Sequence, residues 1–452
     1  MSTPATSTTR LGPGKQTAKG LSKPMVIFTF LLGIFMGALD HGIVGPALSS
    51  IMAAYQLNSS WGVWSFTIYT LLFAVSIPVL GKLSDRFGRK QIFTFGISTF
   101  AIGSVIAALA PNFIVFLLGR AVQAIGTGGI FPITAVQIAV SYPPDKRGKA
   151  MGLIGVFFGI GTILGPVLGG VIITFMQWQW IFLINVPISL IILAMISRFR
   201  SEQQTVQKPI DLAGIVLLTL LILSLMLGIT QANVRYLLAA AVLLPVFLLI
   251  ERKHQDPVMN LSYFTRARTL TLLLASLLSG FVMATATNLL PLYGETLLGL
   301  TKGNSGLTVA PMAVSSMIAS LIAGYMVDKM GPRRVLLLGF AVSLLGAGSL
   351  AFAVTSVASF VLTIIVMGFG VGIIIGAPLN MMILQAVEPK ETGSAVGYLS
   401  LFRSVGSTLG PTIAGPMIAS MAQGFAGLYS ISAAASIASI AMILIFVKKK
   451  VS

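Results

Sequence analysis

The chain has no cysteine, only two histidines and only 11 acidic residues among 452. The missing cysteines exclude disulfides, thiolate metal sites and thiol nucleophiles. His41 and His254 alone leave little for histidine-based metal or acid–base chemistry. Charge of both signs is scarce, at 9% of residues, where a soluble protein of this size would carry roughly a quarter. Every segment between the apolar runs is short, and no G-x-x-x-x-G-K phosphate loop occurs. No soluble catalytic or nucleotide-binding domain fits, so energy for any transport is expected from an ion gradient unless a separate subunit supplies it. No cofactor or metal is expected.

What fills the chain instead is apolar: 56% hydrophobic residues and a mean hydropathy of +0.96. A surface of that composition faces the bilayer, which takes about 20 apolar residues per helical span because each backbone group must be satisfied internally. Fourteen spans are predicted, at 25–54, 60–80, 91–110, 112–140, 149–174, 178–197, 209–229, 235–250, 269–297, 304–327, 334–354, 356–385, 392–418 and 425–447. The polar start, with Arg10, Lys15, Lys19 and Lys23, reads as a cytoplasmic tail rather than a signal peptide, because the run that follows lacks a cleavage site.

The net charge of +18 would suggest nucleic acid if it formed a patch on a soluble face. Its placement says otherwise. With the amino terminus inside, alternate segments such as Lys82–Lys90, Lys146–Lys149, Arg252–Arg268 and Lys329–Arg334 hold nearly all the Lys and Arg; the outer loops hold Arg235 and Lys302. That asymmetry fits an even number of spans with both termini cytoplasmic.

Motifs recur at a constant offset. Pro46 and Pro291 are 245 apart, as are Gly165-Pro166 and Gly410-Pro411; Asp85 and Asp328 are 243 apart. Eight helices fit in that interval, so two parallel six-helix halves are expected with two inserted helices between them. The predicted organisation is a tail (1–24), a first half (25–200), an insertion with linkers (201–262), a second half (263–447) and a basic tail (448–452). Such repeats place a solute pathway between the halves near the midplane.

Asp40 stands about 20 Å up the first helix at 1.5 Å per residue, among Leu39, Ile43 and Val44. A carboxylate there marks a pathway or a permanent structural pair, and desolvation shifts its titration towards neutrality. Arg120, in FLLGRAVQAIGTGG, falls at a similar depth. The two form either a charge switch or an architectural link between helices one and four. His41 either tunes the proton site or bonds a neighbouring helix. Arg403 has no acid at its depth; a carbonyl, a water or an anionic part of a solute would suit it. Glu295 either draws cations to an outer vestibule or is an ordinary solvated acid. Tyr69, Gln123, Phe158, Asn288 and Asn380 are candidate cavity residues, being polar or aromatic within spans.

Two stretches suggest moving parts. In GKLSDRFGRK, Gly81 and Gly88 permit close approach and a tight turn, and Asp85 with Arg86 and Arg89 suits an ion-pair latch, or simply sets topology. GYMVDKMGPRR repeats the turn and its Asp328. The fifth helix carries Gly161, Gly165, Gly169 and Gly170 around Pro166, which suits close packing, a hinge or an ion seal.

Together these stretches resemble the major facilitator superfamily, in its fourteen-helix drug:proton antiporter branch. GKLSDRFGRK is similar to the signature loop after helix two, and Leu118–Gly129 to a fourth-helix motif whose arginine is implicated in proton exchange. GTILGPVLGG is similar to the fifth-helix antiporter motif, LDHGIVGPAL to the first-helix motif, and WQWIFLINVP, with Trp180, Asn185 and Pro187, is typical of the branch. Gly42, Gly45, Pro46 and Ser49 depart from the first-helix pattern. The resemblance implies an all-α membrane protein, a monomer in the plasma membrane, and a central cavity to which the insertion does not contribute. The implied function is proton-coupled export of small lipophilic or cationic compounds, as in multidrug efflux and antibiotic resistance; export of one metabolite, siderophore, peptide or lipid is the alternative. An enzyme is disfavoured, because no cluster of bases, nucleophiles or metal ligands is present.

Overall fold

A computed structural model describes residues 22–447 apart from 58, 63, 144, 200–210, 232, 255–256, 301–308, 389–390 and 419–421. The expected basic tail 448–452 and nearly all of the amino-terminal tail lie outside the described residues. Within them the regular structure is helical. The long helices are α1 (Lys23–Ala54), α2 (Trp64–Phe87), α3 (Arg89–Ala108), α4 (Phe113–Ser141), α5 (Arg147–Phe175), α6 (Trp180–Ser197), α7 (Leu212–Thr230) and α8 (Val234–Glu251). They continue with α9 (Ala267–Leu298), α10 (Val309–Met330), α11 (Pro332–Phe352), α12 (Val357–Leu384), α13 (Thr392–Ile418) and α14 (Ala422–Phe446).

Thirteen of these are long and apolar enough to cross a membrane. The exception, α13, spans 27 residues, but Arg403 and many Ser, Thr and Gly lower its hydropathy. It packs against α2, α9 and α14, so neighbouring helices rather than lipid face much of it. Large apolar side chains such as Leu109, Ile114, Leu345 and Leu362 are exposed, which suits acyl chains.

Three helices bend where proline removes a backbone donor. In α4 the helix is interrupted at Gly129, ahead of Pro132. In α6 the break at Ile184 precedes Pro187. In α12 the first segment ends at Ile375, and Gly376 and Ala377 join it to Pro378–Leu384.

The contacts obey the sequence repeat. In the first half α1 packs on α5; in the second, α9 packs on α13. The halves meet where α2 packs on α13 and, equivalently, where α10 packs on α5. The inserted α7 and α8 pack on each other, and α7 also touches α2 and α13. The result is two six-helix halves with an inserted pair, the architecture that the resemblance implies.

One expectation needs correction. GKLSDRFGRK is not mainly a loop: α2 runs through Phe87 and α3 starts at Arg89. Only Gly88 breaks the helix, at φ 96, and Gly331 repeats this at φ 83. Lys, Asp and Arg are tolerable helix residues once the helix end projects beyond the apolar layer.

The glycines of α5 are not equivalent. A Cβ at Gly161 would lie 2.7 Å from the Phe35 carbonyl, at Gly165 2.8 Å from the Leu39 carbonyl, and at Gly169 2.6 Å from the Ile43 carbonyl, all on α1. Gly170, also expected in this packing, points into open space. Gly165→Val should therefore destabilise the detergent-purified protein by about 1–3 kcal/mol, as overpacking does, while Gly170→Ala should not. Comparing the two melting temperatures with that of the parent checks this; equal melting for all three would refute the backbone-contact account of α5.

Candidate functional site

Asp40 and Arg120 form the centre of a buried polar network. Arg120 Nη1 donates to Asp40 Oδ2 at 2.8 Å, and both side chains are essentially fully buried. The same nitrogen donates to Gln123 Oε1 at 2.7 Å, and Arg120 Nε donates to the Ser65 carbonyl at 3.3 Å. Asn185 Nδ2 donates to Asp40 Oδ1 at 2.9 Å, with Gln123 Nε2 at 3.4 Å. Gln123 also donates to Ser104 Oγ at 2.6 Å. An isolated charge at a helix centre costs about 2.5–3.5 kcal/mol on insertion scales; pairing and hydrogen bonding offset this for both partners. Helices α1, α2, α3, α4 and α6 are thereby tied to one carboxylate.

The network adjoins a central cavity. A larger lobe of about 520 Å³ and a narrower one of about 230 Å³ share His41, Thr70, Phe158, Met283, Ile375 and Ser407 as walls. Asp40 lines neither lobe. Its chain neighbour His41 lines both and is exposed there. Tyr69 lines the narrower lobe and stacks on Arg120, with the guanidinium carbon 4.3 Å from its ring centroid. His41, next to Asp40 in the chain, and Tyr69, stacked on Arg120, therefore border both the charge pair and the cavity.

Phe158 and Arg403 line the cavity as expected. Gln123 and Asn380 do not. The Gln123 amide is turned into the Asp40–Arg120 network. Asn380 follows the break at Gly376, which resets the helix rotation, and its Nδ2 donates to the Gly376 carbonyl at 3.4 Å. The side chains of Asn288 and Glu295 lie outside the described residues. The insertion, expected to stand aside, contributes Met226 of α7 to the larger lobe. His254 stays with the insertion, its Nδ1 3.9 Å from Asp211 Oδ2.

At the basic end of the bundle two carboxylates bridge the halves. Asp85 at the end of α2 accepts from the Gly393 and Ser394 backbone N–H groups, both at 2.9 Å, and from the Ser394 hydroxyl at 3.1 Å. Asp328 at the end of α10 accepts from the Gly148 and Lys149 N–H groups at 2.7 and 2.8 Å. Each carboxylate caps the first turn of a helix in the other half, where unpaired N–H groups and the helix dipole favour an anion. Gly81 allows the approach: a Cβ there would lie 2.8 Å from the Gly393 carbonyl. Of the two arginines, Arg86 stacks its guanidinium 5.3 Å from the Phe87 ring.

Sequence reasoning missed Asn185 as a partner of Asp40, and it missed the two receiving helix ends. A lone amide in the largely apolar LINVPISLII was the available signal for the first. For the second it was the repeat itself, since Gly148 and Gly393 are 245 apart.

A family model described as the Major Facilitator Superfamily matches residues 30–411, with an overlapping second match over 307–452. An uncharacterized MFS-type transporter, YfiU of Bacillus subtilis (strain 168), is 36% identical over 411 residues, covering 87% of this chain and 79% of the relative. Multidrug resistance protein 3 of the same organism is 32% identical over 417 residues, covering 88% and 80%. The solved structure of the proton:xylose symporter XylE superposes with a TM-score of 0.70 at 15% identity, covering 94% of this chain and 96% of that one; this likeness shows the fold alone.

Proposed function

The chain belongs to the major facilitator superfamily, and we propose that it exports small lipophilic compounds across the plasma membrane in exchange for protons, as a multidrug antiporter. The observation that carries this is the buried Asp40–Arg120 pair set directly behind a cavity between the halves. Arg120 holds the Asp40 carboxylate at 2.8 Å; a helix shift or a bound solute that parts the pair would free that carboxylate to exchange a proton with the cavity. Proton loading from outside and release inside then alternate with solute passage, and each direction of the cavity opens in turn. Contacts at Gly81–Gly393 and Gly148–Gly324, on the end expected to be cytoplasmic, support a state closed towards the cytoplasm. The described cavity walls hold no carboxylate, so lipophilicity rather than positive charge is the shared property of the solutes.

Broad export predicts competition. In inverted membrane vesicles energised by a pH gradient, chemically unrelated lipophilic dyes should each slow uptake of the others. Uptake of one compound, insensitive to all the rest, would point to a dedicated metabolite exporter instead. The relative named for multidrug resistance supports the broader reading.

A further inference from the structure

We propose that Arg403 anchors a subsite for a carboxylate, or another singly negative group, on a lipophilic solute bound in the narrower lobe of the central cavity. The proposal rests on the transport reading only for the assumption that this cavity receives the solute. It adds the charge of the compounds that are held best.

Two arginines are embedded in the spans, and they are in opposite situations. Arg120 donates to a carboxylate, an amide and a backbone carbonyl. Arg403, on α13, lines the narrower lobe, and its Nε and Nη2 have no hydrogen-bond partner. Its guanidinium carbon stands 5.4 Å from the centre of the Phe131 ring. A guanidinium stays protonated at any physiological pH, so it cannot relieve an unpaired position by losing its proton. A half-buried cation whose shielded N–H groups have no acid to meet is unfavourable, and in a membrane such a group calls for a partner.

The described walls of both lobes offer no such partner. They contain no Asp or Glu, and Asp40 is already committed to Arg120. The missing negative charge can come from the solute. A guanidinium presents parallel N–H donors that match a carboxylate in bidentate fashion, and Ser400, Ser404 and Ser407 line the same lobe with hydroxyls able to serve a second acceptor. Apart from His41, Thr70 and Thr127, the rest of the lobe is apolar or aromatic. Phe158 lies 245 residues before Arg403, the repeat offset, and lines the same space. The first half thus presents a ring where the second presents a cation, and together they suit an aromatic body carrying an anionic head. The rotation of α13 that aims Arg403 inward is fixed by close packing on α9, where the Arg403 carbonyl abuts Gly280 and leaves no room for a Cβ.

The test is binding to the full-length protein purified in detergent, at neutral pH and without a gradient. The probes are three acids, 1-pyrenebutyrate, 2-naphthoate and 4-phenylbenzoate, each paired with its neutral methyl ester. At least one acid should bind about tenfold tighter than its ester, which corresponds to one charge-assisted interaction. Arg403→Gln should bring that ratio close to one while leaving ester affinity unchanged, and Arg403→Lys should keep only part of it. Esters binding as tightly as acids, no acid binding at all, or a preference that survives Arg403→Gln would each overturn the proposal. Should Arg403→Gln not fold, Arg403→Lys decides: a reduced ratio supports the subsite and an unchanged one refutes it. Since no gradient is applied, failure of proton-driven uptake would sink the antiport reading and leave the acid-over-ester preference standing.

Discussion

Asp40→Asn is expected to abolish gradient-driven accumulation of a dye in inverted vesicles while leaving exchange of labelled for unlabelled dye intact. A single proton moved through a 100 mV drive contributes about 2.3 kcal/mol, or an accumulation of roughly fiftyfold at 1.4 kcal/mol per decade. Asparagine keeps the size but has a single amide oxygen, so it can accept from Arg120 or from Asn185 but not from both as the two carboxylate oxygens do, and it cannot take up or release a proton. The concentration ratio should therefore fall from that ceiling to unity, with passage down a gradient still possible.

The substitution has a second consequence that the experiment must separate. It leaves Arg120 as an unpaired buried cation, a situation that costs about 3–5 kcal/mol when one partner of a buried pair is removed. Reduced yield of the single variant would then confuse the result. Combining Asp40→Asn with Arg120→Gln removes both charges and should restore the yield without restoring accumulation. If the neutral pair still concentrates dye against its gradient under a pH drive, Asp40 is not the proton carrier.

The depth of a residue in the membrane was legible from sequence, and its facing was not. At 1.5 Å per residue, Asp40 and Arg120 come out at similar heights from their helix ends, and the structure brings them to 2.8 Å. Facing depends on about 100° of rotation per residue, which accumulates correctly only along an unbroken helix. Asn380, beyond the break at Gly376, was accordingly misassigned to the cavity. Gln123 lies on the unbroken first segment of α4, three residues from Arg120, so it shares that residue's face and joins its network instead. The spans and the two halves were legible because apolar runs and charge asymmetry are properties of single segments. Contacts between halves, such as Asp85 with the first turn of α13, depend on two segments whose joint placement only the repeat offset hinted at.

Those contacts carry the other large effect. The interactions of Asp85 with Gly393 and Ser394, and of Asp328 with Gly148 and Lys149, hold together ends that must part if the cavity is to open on that side. They can therefore be made only while it is closed, and an interaction present in one state alone sets the balance between the two. Replacing either carboxylate with asparagine keeps the size but removes the charge that the helix N-terminus favours. At about 1.5 kcal/mol each, the low end for hydrogen bonds to charged groups, the single variants shift the open-to-closed ratio roughly tenfold. The two contacts lie at different helix pairs, so the effects should add, and Asp85→Asn with Asp328→Asn should shift it roughly 100-fold. The natural absence of cysteine makes this directly measurable. A single cysteine placed at Thr287, on the wall of the larger lobe, can be labelled in inverted vesicles with a membrane-impermeant maleimide that reaches only the cytoplasmic face. Its labelling rate should rise about tenfold in each single variant and about 100-fold in the double variant, while a double variant labelled no faster than the parent would mean that these carboxylates hold the helix ends without governing which side is open.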